Sequence, residues 1–103
     1  MIATFPSISL EYVWVPVTAA GDDADLLTTL PVEMAFLMNQ TSEPQETDWA
    51  DAEWSDNTAR PVARCLIGPG SVVVLPDGVH WVWVRVSGGT ERPVRQAGKI
   101  RIT

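Results

Sequence analysis

The stretch HWVWVRVS, His80 to Ser87, alternates without a break between two kinds of side chain. In a β-strand successive side chains point to opposite faces, so this run has two possible registers. With His80, Val82, Val84 and Val86 inside, Trp81, Trp83 and Arg85 face away from the core. The opposite register would bury a guanidinium, which is costly unless it is paired. The valine-inside register is therefore the expected one. The closing stretch agrees, because Ile100 and Ile102 share one parity and Lys99, Arg101 and Thr103 share the other. A hairpin of strands 79–87 and 94–103, turned through GGT, predicts that both basic faces lie on one outer surface. Gly98 is the expected bulge, since a glycine inside a strand commonly marks one.

Working outward, the chain reads as short apolar runs at 8–17, 31–39, 48–55, 60–67, 71–75, 79–87 and 94–103. They are separated by AAGDDAD, TSEPQET, SDNTARP, GPG, PDG and SGGTERP, which are clusters with turn chemistry. The i, i+3, i+4 pattern of an amphipathic helix is missing. Seven short strands in 103 residues predict an all-β fold, a β-sandwich of about seven antiparallel strands that forms a single domain over residues 1–103. In the first run the apolar parity changes: Ile8, Leu10, Tyr12 and Trp14 alternate on one face, Val13, Val15 and Val17 on the other. A kink near Tyr12 is expected, as where an edge strand passes between sheets. In DWADAEWSD, Ala52 and Trp54 oppose the parity of Asp51 and Glu53, which makes Trp54 the expected core tryptophan and places Trp49 at the rim.

Composition narrows the partners. The formal net charge of −6 disfavours nucleic acid and anionic membrane, because phosphate binding requires a basic surface. No apolar run approaches the roughly 20 residues of a membrane span, and the N-terminus lacks the basic and apolar regions of a secretory signal. A soluble domain made in the cytosol is expected. The charges are segregated nevertheless. Six acids and no base lie between Glu43 and Asp56, whereas Arg85, Arg92, Arg95, Lys99 and Arg101 place five of the seven bases in the last 19 residues. Two solvated faces account for this pattern; complementary ends of a repeating assembly are the sharper reading, because opposite fields orient encounter.

Catalytic constellations are scarce. One histidine and one cysteine cannot build a multi-histidine metal site or a disulfide. His80 follows LPDG where a sandwich corner has a hydrogen-bonding residue, so a structural role bonded to backbone is expected. Cys65 alternates in phase with Ala63 and Ile67 and reads as a small buried hydrophobe. Asp22, Asp23 and Asp25 cluster hard oxygen ligands but lack an EF-hand's loop glycine and terminal glutamate, so a solvated loop is expected and not a calcium site. Asp51 and Glu53 lie roughly 7 Å apart by strand rise, a spacing any exposed acidic strand shows. No enzyme activity, cofactor or metal is expected.

Five tryptophans remain to be explained. A protein interface, a ladder beneath a loop and a carbohydrate platform all use such residues. The stretches LEYVWVPVTA, AEW and LIGPGSVVVLPDGVHWVWVRVSGGTERPVRQAGKIRIT resemble small structural proteins encoded among the head and tail genes of tailed bacteriophages, over about two-thirds of the chain. The matching positions run from Glu11 to Val17, Trp54, Leu66 to Val86 and Pro93 to Ile102, with His80 where the pattern has tyrosine. This resemblance implies a non-enzymatic virion subunit with an immunoglobulin-like fold, assembled in the host cytoplasm and present in several symmetric copies. Its partners would be portal or connector, capsid or tail subunits, with the neck or head-to-tail connector as the expected position. Capsid decoration, a tail surface role, and a carbohydrate-binding or adhesive module are the alternatives. The residues expected at the interface are Trp14, Trp81, Trp83, Arg85, Arg95, Lys99 and Arg101.

Overall fold

A computed structural model describes residues 3–17, 30–55, 61–87 and 93–103. The fold among these residues is all-β. Its strands are β1 (Ala3–Phe5), β2 (Glu11–Pro16), β3 (Val32–Leu37), β4 (Ala50–Trp54), β5 (Val62–Ile67), β6 (Gly78–Val86) and β7 (Val94–Ile102), with one 3-10 turn at Glu46–Asp48. They form a seven-stranded sheet in the order β1-β7-β6-β3-β4-β5-β2, curled until it is nearly closed into a barrel-like shape. The sheet is mixed, not wholly antiparallel, because β1 runs parallel to β7 with Ala3 opposite Ile100 and Phe5 opposite Ile102.

The curl turns on β4, whose first half pairs with β3 (Ala50 with Met34) and whose second half pairs with β5 (Trp54 with Ala63). One short strand thereby joins two sections of sheet around one core. Val13 and Val15 come from β2, Met34 from β3, Ala63 and Ile67 from β5, and Ile100 and Ile102 from β7, all buried. On β6, His80, Val82, Val84 and Val86 are buried in the expected register. Trp54 packs against this core, and its Nε1–H donates to the Leu30 carbonyl at 2.8 Å, satisfying the one polar atom the indole brings inside. Asp51 and Glu53 alternate outward, as expected.

Three strand expectations change. The run 71–75 is not a strand; its only ladder contact is an isolated bridge between Val73 and Ile67. The run 8–17 begins at Glu11, and Val13 and Val15 point inward throughout, without a kink at Tyr12. The crossing between sheet sections lies earlier, at Pro6 to Leu10, where the chain leaves the edge beside β7 for the edge beside β5. Pairing with β7 runs on past Pro6 to Ser7, whose N–H donates to Thr103 O, before the chain crosses. The expected hairpin turn, GGT, lies outside the described residues, as does most of the loop 18–30.

The bulge occurs at the expected glycine. Val82 opposes Gly98 and Trp83 opposes Gln96, so β7 carries one extra residue, and Gly98 has φ +149°. An inserted residue reverses side-chain parity across it. Lys99 and Arg101 therefore lie on the outer face opposite Trp81 and Val79, whereas Arg95 lies opposite Val84. The expectation of a single basic surface fails for Arg95.

Strand β2 is an edge. Val17 N–H donates to Pro61 O, and the Val62 carbonyl is taken by Ser55 N–H of the other flank. The odd residues of β2 thus bond to β5, while Tyr12, Trp14 and Pro16 turn their backbone groups to the open side.

Candidate functional site

Five of the six large hydrophobic residues most exposed among the described ones sit at one end of the barrel: Ile8, Leu10, Met38, Val72 and Val74. That end is where β3, β5 and β7 finish and β2 and β6 begin. Ile8 is 86% exposed and Val72 96%, far more than residues left at the margin of a core. Two loops, Pro6 to Leu10 and Gly68 to Leu75, present four of them; Met38 directly follows β3.

Both loops are held by hydrogen bonds. Gly68 N–H donates to Val73 O at 2.9 Å and Ser71 N–H to Gly68 O at 3.1 Å. The Ser71 hydroxyl lies within 2.8 Å of both the Gly68 and Val73 carbonyls and donates to one at a time. In the other loop Ser9 N–H reaches Pro6 O, Ser7 N–H reaches Thr103 O, and Thr103 N–H reaches Phe5 O. The loops also touch. Gly68 has φ +120°, and a Cβ there would fall inside the van der Waals radius of the Ser9 carbonyl oxygen. The valines are thus displayed from a fixed frame, which lowers the ordering cost of binding. Apolar patches of this kind mark interaction surfaces more often than isolated exposed side chains do.

The expected interface residues fall into separate places. Trp81 and Trp83 are both half-buried, and Lys99 Nζ stands 5.1 Å from the Trp81 ring centroid. The Trp83 Nε1 atom is enclosed without a partner among the described residues, and Ala35 opposite it is fully buried although it lies on the outer face. The chain's own segment 38–49 crosses this face. Gln96 donates to Gln40 O at 3.3 Å, and Arg85 reaches Glu46 and the ring of Trp49. Trp49 is accordingly half-buried at the rim.

Arg85 faces outward as expected but is only 7% exposed, and so is not available at a surface. Its Nε and Nη2 donate to Glu33 Oε1 at 3.0 and 2.8 Å, its Nη1 donates to Glu46, and its guanidinium stacks 4.5 Å from the Trp49 centroid. Burial opposes its charge, but hydrogen bonds and attraction from both glutamates outweigh that penalty and hold it more firmly protonated than a free arginine. Trp14, 52% exposed, lies on β2 at the far end of the sheet from β6, and so does not join Trp81 and Trp83. It forms its own cluster, with Tyr12 5.7 Å away and Arg64 over both rings, the latter tied to Glu53 at 2.7 Å. Arg95, Lys99 and Arg101 are exposed.

His80 is buried, and its Nε2–H donates to Pro76 O at 2.7 Å, the backbone bond expected at that corner. Among the described residues no group of three or more His, Cys, Asp and Glu is placed to hold a metal ion. Asp22, Asp23 and Asp25 lie outside the described residues. No described helix is long and apolar enough to cross a membrane.

Cys65 is buried, and burial first, then the nearby Asp51 charge, pushes its thiol from 9.0 up to about 11. A folded-state value above the unfolded one stabilises the fold fully below pH 9 and progressively less as pH rises towards 11. The expected loss over that window is roughly 2–3 kcal/mol. Urea titrations at both ends of the window should show Cys65→Ala losing less stability than the parent; equal losses would refute the assignment.

Sequence reasoning missed the apolar end. One signal was present: GPGSVVVLPDG confines three consecutive valines between two turn clusters, and adjacent residues of an extended chain cannot all face one core. No family model matches the chain, and neither a curated protein nor a solved structure matches it.

Proposed function

We propose that this protein is a non-enzymatic structural subunit of a tailed-phage virion, seated in the neck or head-to-tail connector through its apolar end. The observation that carries this reading is the fixed display of Ile8, Leu10, Val72 and Val74. A surface built to remain apolar in water is suited to being covered by protein, and the resemblance to phage head and tail proteins supplies the setting. Portal, connector, capsid or tail subunits are the partners, and the seven-strand all-β fold is read as a variant of the immunoglobulin-like sandwich. Capsid decoration and a tail surface position use the same surface equally well.

The test is incorporation into particles. Val72→Ser with Val74→Ser should leave the unfolding midpoint within about 0.5 kcal/mol of the parent, as surface substitutions do. The variant should nevertheless be lost from particles purified on a density gradient. Normal incorporation of the folded variant, or absence of the parent protein from purified virions by mass spectrometry, would reject the proposal. A second reading is favoured by Tyr12 and Arg64, which line one shallow groove with Asp51 and Glu53, and by Trp14, whose ring adjoins Tyr12 at the groove's side, an arrangement suited to a sugar. Binding on a glycan array that disappears in Trp14→Ala would select the carbohydrate-binding module.

A further inference from the structure

The cations of this acidic protein are unevenly neutralised. Arg64 is paired with Glu53, and Arg85 with Glu33 and Glu46. Arg95, Lys99 and Arg101, all on β7, make no ion pair among the described residues, and the bulge leaves Lys99 and Arg101 together on the outer face. Lys99 is steadied over the ring of Trp81.

Acids lie beside them on the same face. Segment 38–49 crosses the outer side of the sheet at the level of Trp83 and Arg85, fixed through Gln40, Glu46 and Trp49. It carries Glu43 and Asp48, both exposed and without an ion pair among the described residues; Asp48 accepts only from Gln45 N–H. Arg85, where Glu46 and Trp49 anchor this acidic segment, lies four residues along β6 from Trp81, about 13 Å by strand rise. One face therefore has a negative half and a positive half, with half-buried Trp81 beside the positive one.

We propose that this face pairs with the same face of a second copy, related by a two-fold axis, so that Lys99 and Arg101 of each chain meet Glu43 and Asp48 of the other. A two-fold contact requires a self-complementary patch, and adjacent halves of opposite sign satisfy that requirement twice in one interface. A charged partner of one sign would be attracted by one half and repelled by the other, so a second copy fits better. This surface is distinct from the apolar end, and the pairing does not depend on the virion reading.

The test uses the purified chain alone. Sedimentation velocity at about 200 µM would populate a dimer with a Kd of about 100 µM or tighter. At an ionic strength of about 0.02 M a dimer is expected, and at about 0.5 M, where exposed charges act over only ~4 Å, it should dissociate at least about tenfold more readily. Lys99→Glu with Arg101→Glu makes both halves acidic; Glu43→Lys with Asp48→Lys makes both basic. Each variant should be monomeric alone, with far-ultraviolet circular dichroism unchanged, and a 1:1 mixture should form heterodimers. A parent that stays monomeric at low salt, variants that dimerise as the parent does, or a mixture that remains monomeric would each overturn the proposal. Particle incorporation is not part of this readout, so its failure and the failure of the virion reading are separate results.

Discussion

Gly68→Ala is expected to lower the unfolding free energy by about 3 kcal/mol, as overpacking and backbone strain act at one position. The glycine holds φ +120°, which side-chain-bearing residues avoid, and the added methyl would press against the Ser9 carbonyl and the Leu10 Cα. Relief requires the loop Pro6 to Leu10 to move away from Gly68 to Leu75. The same substitution should therefore also disperse Ile8, Leu10, Val72 and Val74, and lower particle incorporation if the proposed contact is made there. Gly70→Ala is the control, because it has positive φ but no neighbour within reach of a Cβ. It should cost only about 1 kcal/mol, the strain term alone. Equal urea midpoints for the two variants would show that the contact between the loops does not contribute to stability.

Arg85→Ala should cost about 3 kcal/mol, in the range for breaking a buried ion pair from one side. Three losses combine: the bonds to Glu33, the bonds to Glu46, and the stack on Trp49. Glu33 keeps only 23% of its side chain exposed and would be left without the cation it faces, whereas Glu46 is 75% exposed and returns to water at little expense. Arg85→Met retains the packing and should recover about half of the loss. If both variants unfold at the parent midpoint, the strap formed by residues 38–49 is not held by this arginine.

The alternation of residues 80–87 suffices for the inside of the fold because apolar burial is a local, period-two signal. The LPDG corner located His80, a glycine within a strand marked the bulge at Gly98, and the same alternation in 48–55 and 60–67 located Trp54 and Cys65. What alternation could not supply was the outside. Arg85 was placed on the correct face, but the cover comes from residues 36 and 39 positions earlier in the chain, Trp49 and Glu46, whose proximity depends on the path of segment 38–49. Trp14 could not be assigned a neighbour without the sheet order, which sets β2 beside β5. Arg95 was misassigned to the basic outer face because one inserted residue inverts everything N-terminal to it on β7. The valines of 71–75 satisfied strand propensity without a strand, since propensity describes fitness for a pleated surface and not the presence of a partner. The apolar end was hidden for the same reason.

Strand β2 ends its open side on Pro16, the third of the residues whose backbone groups point away from β5. Proline has no hydrogen to offer at that position. A stray strand could zip along Tyr12 and Trp14 and would then find a missing donor, so lateral growth is cut short after two residues. That one ring breaks the edge as a template for strand addition, so contacts along it are left to the side chains.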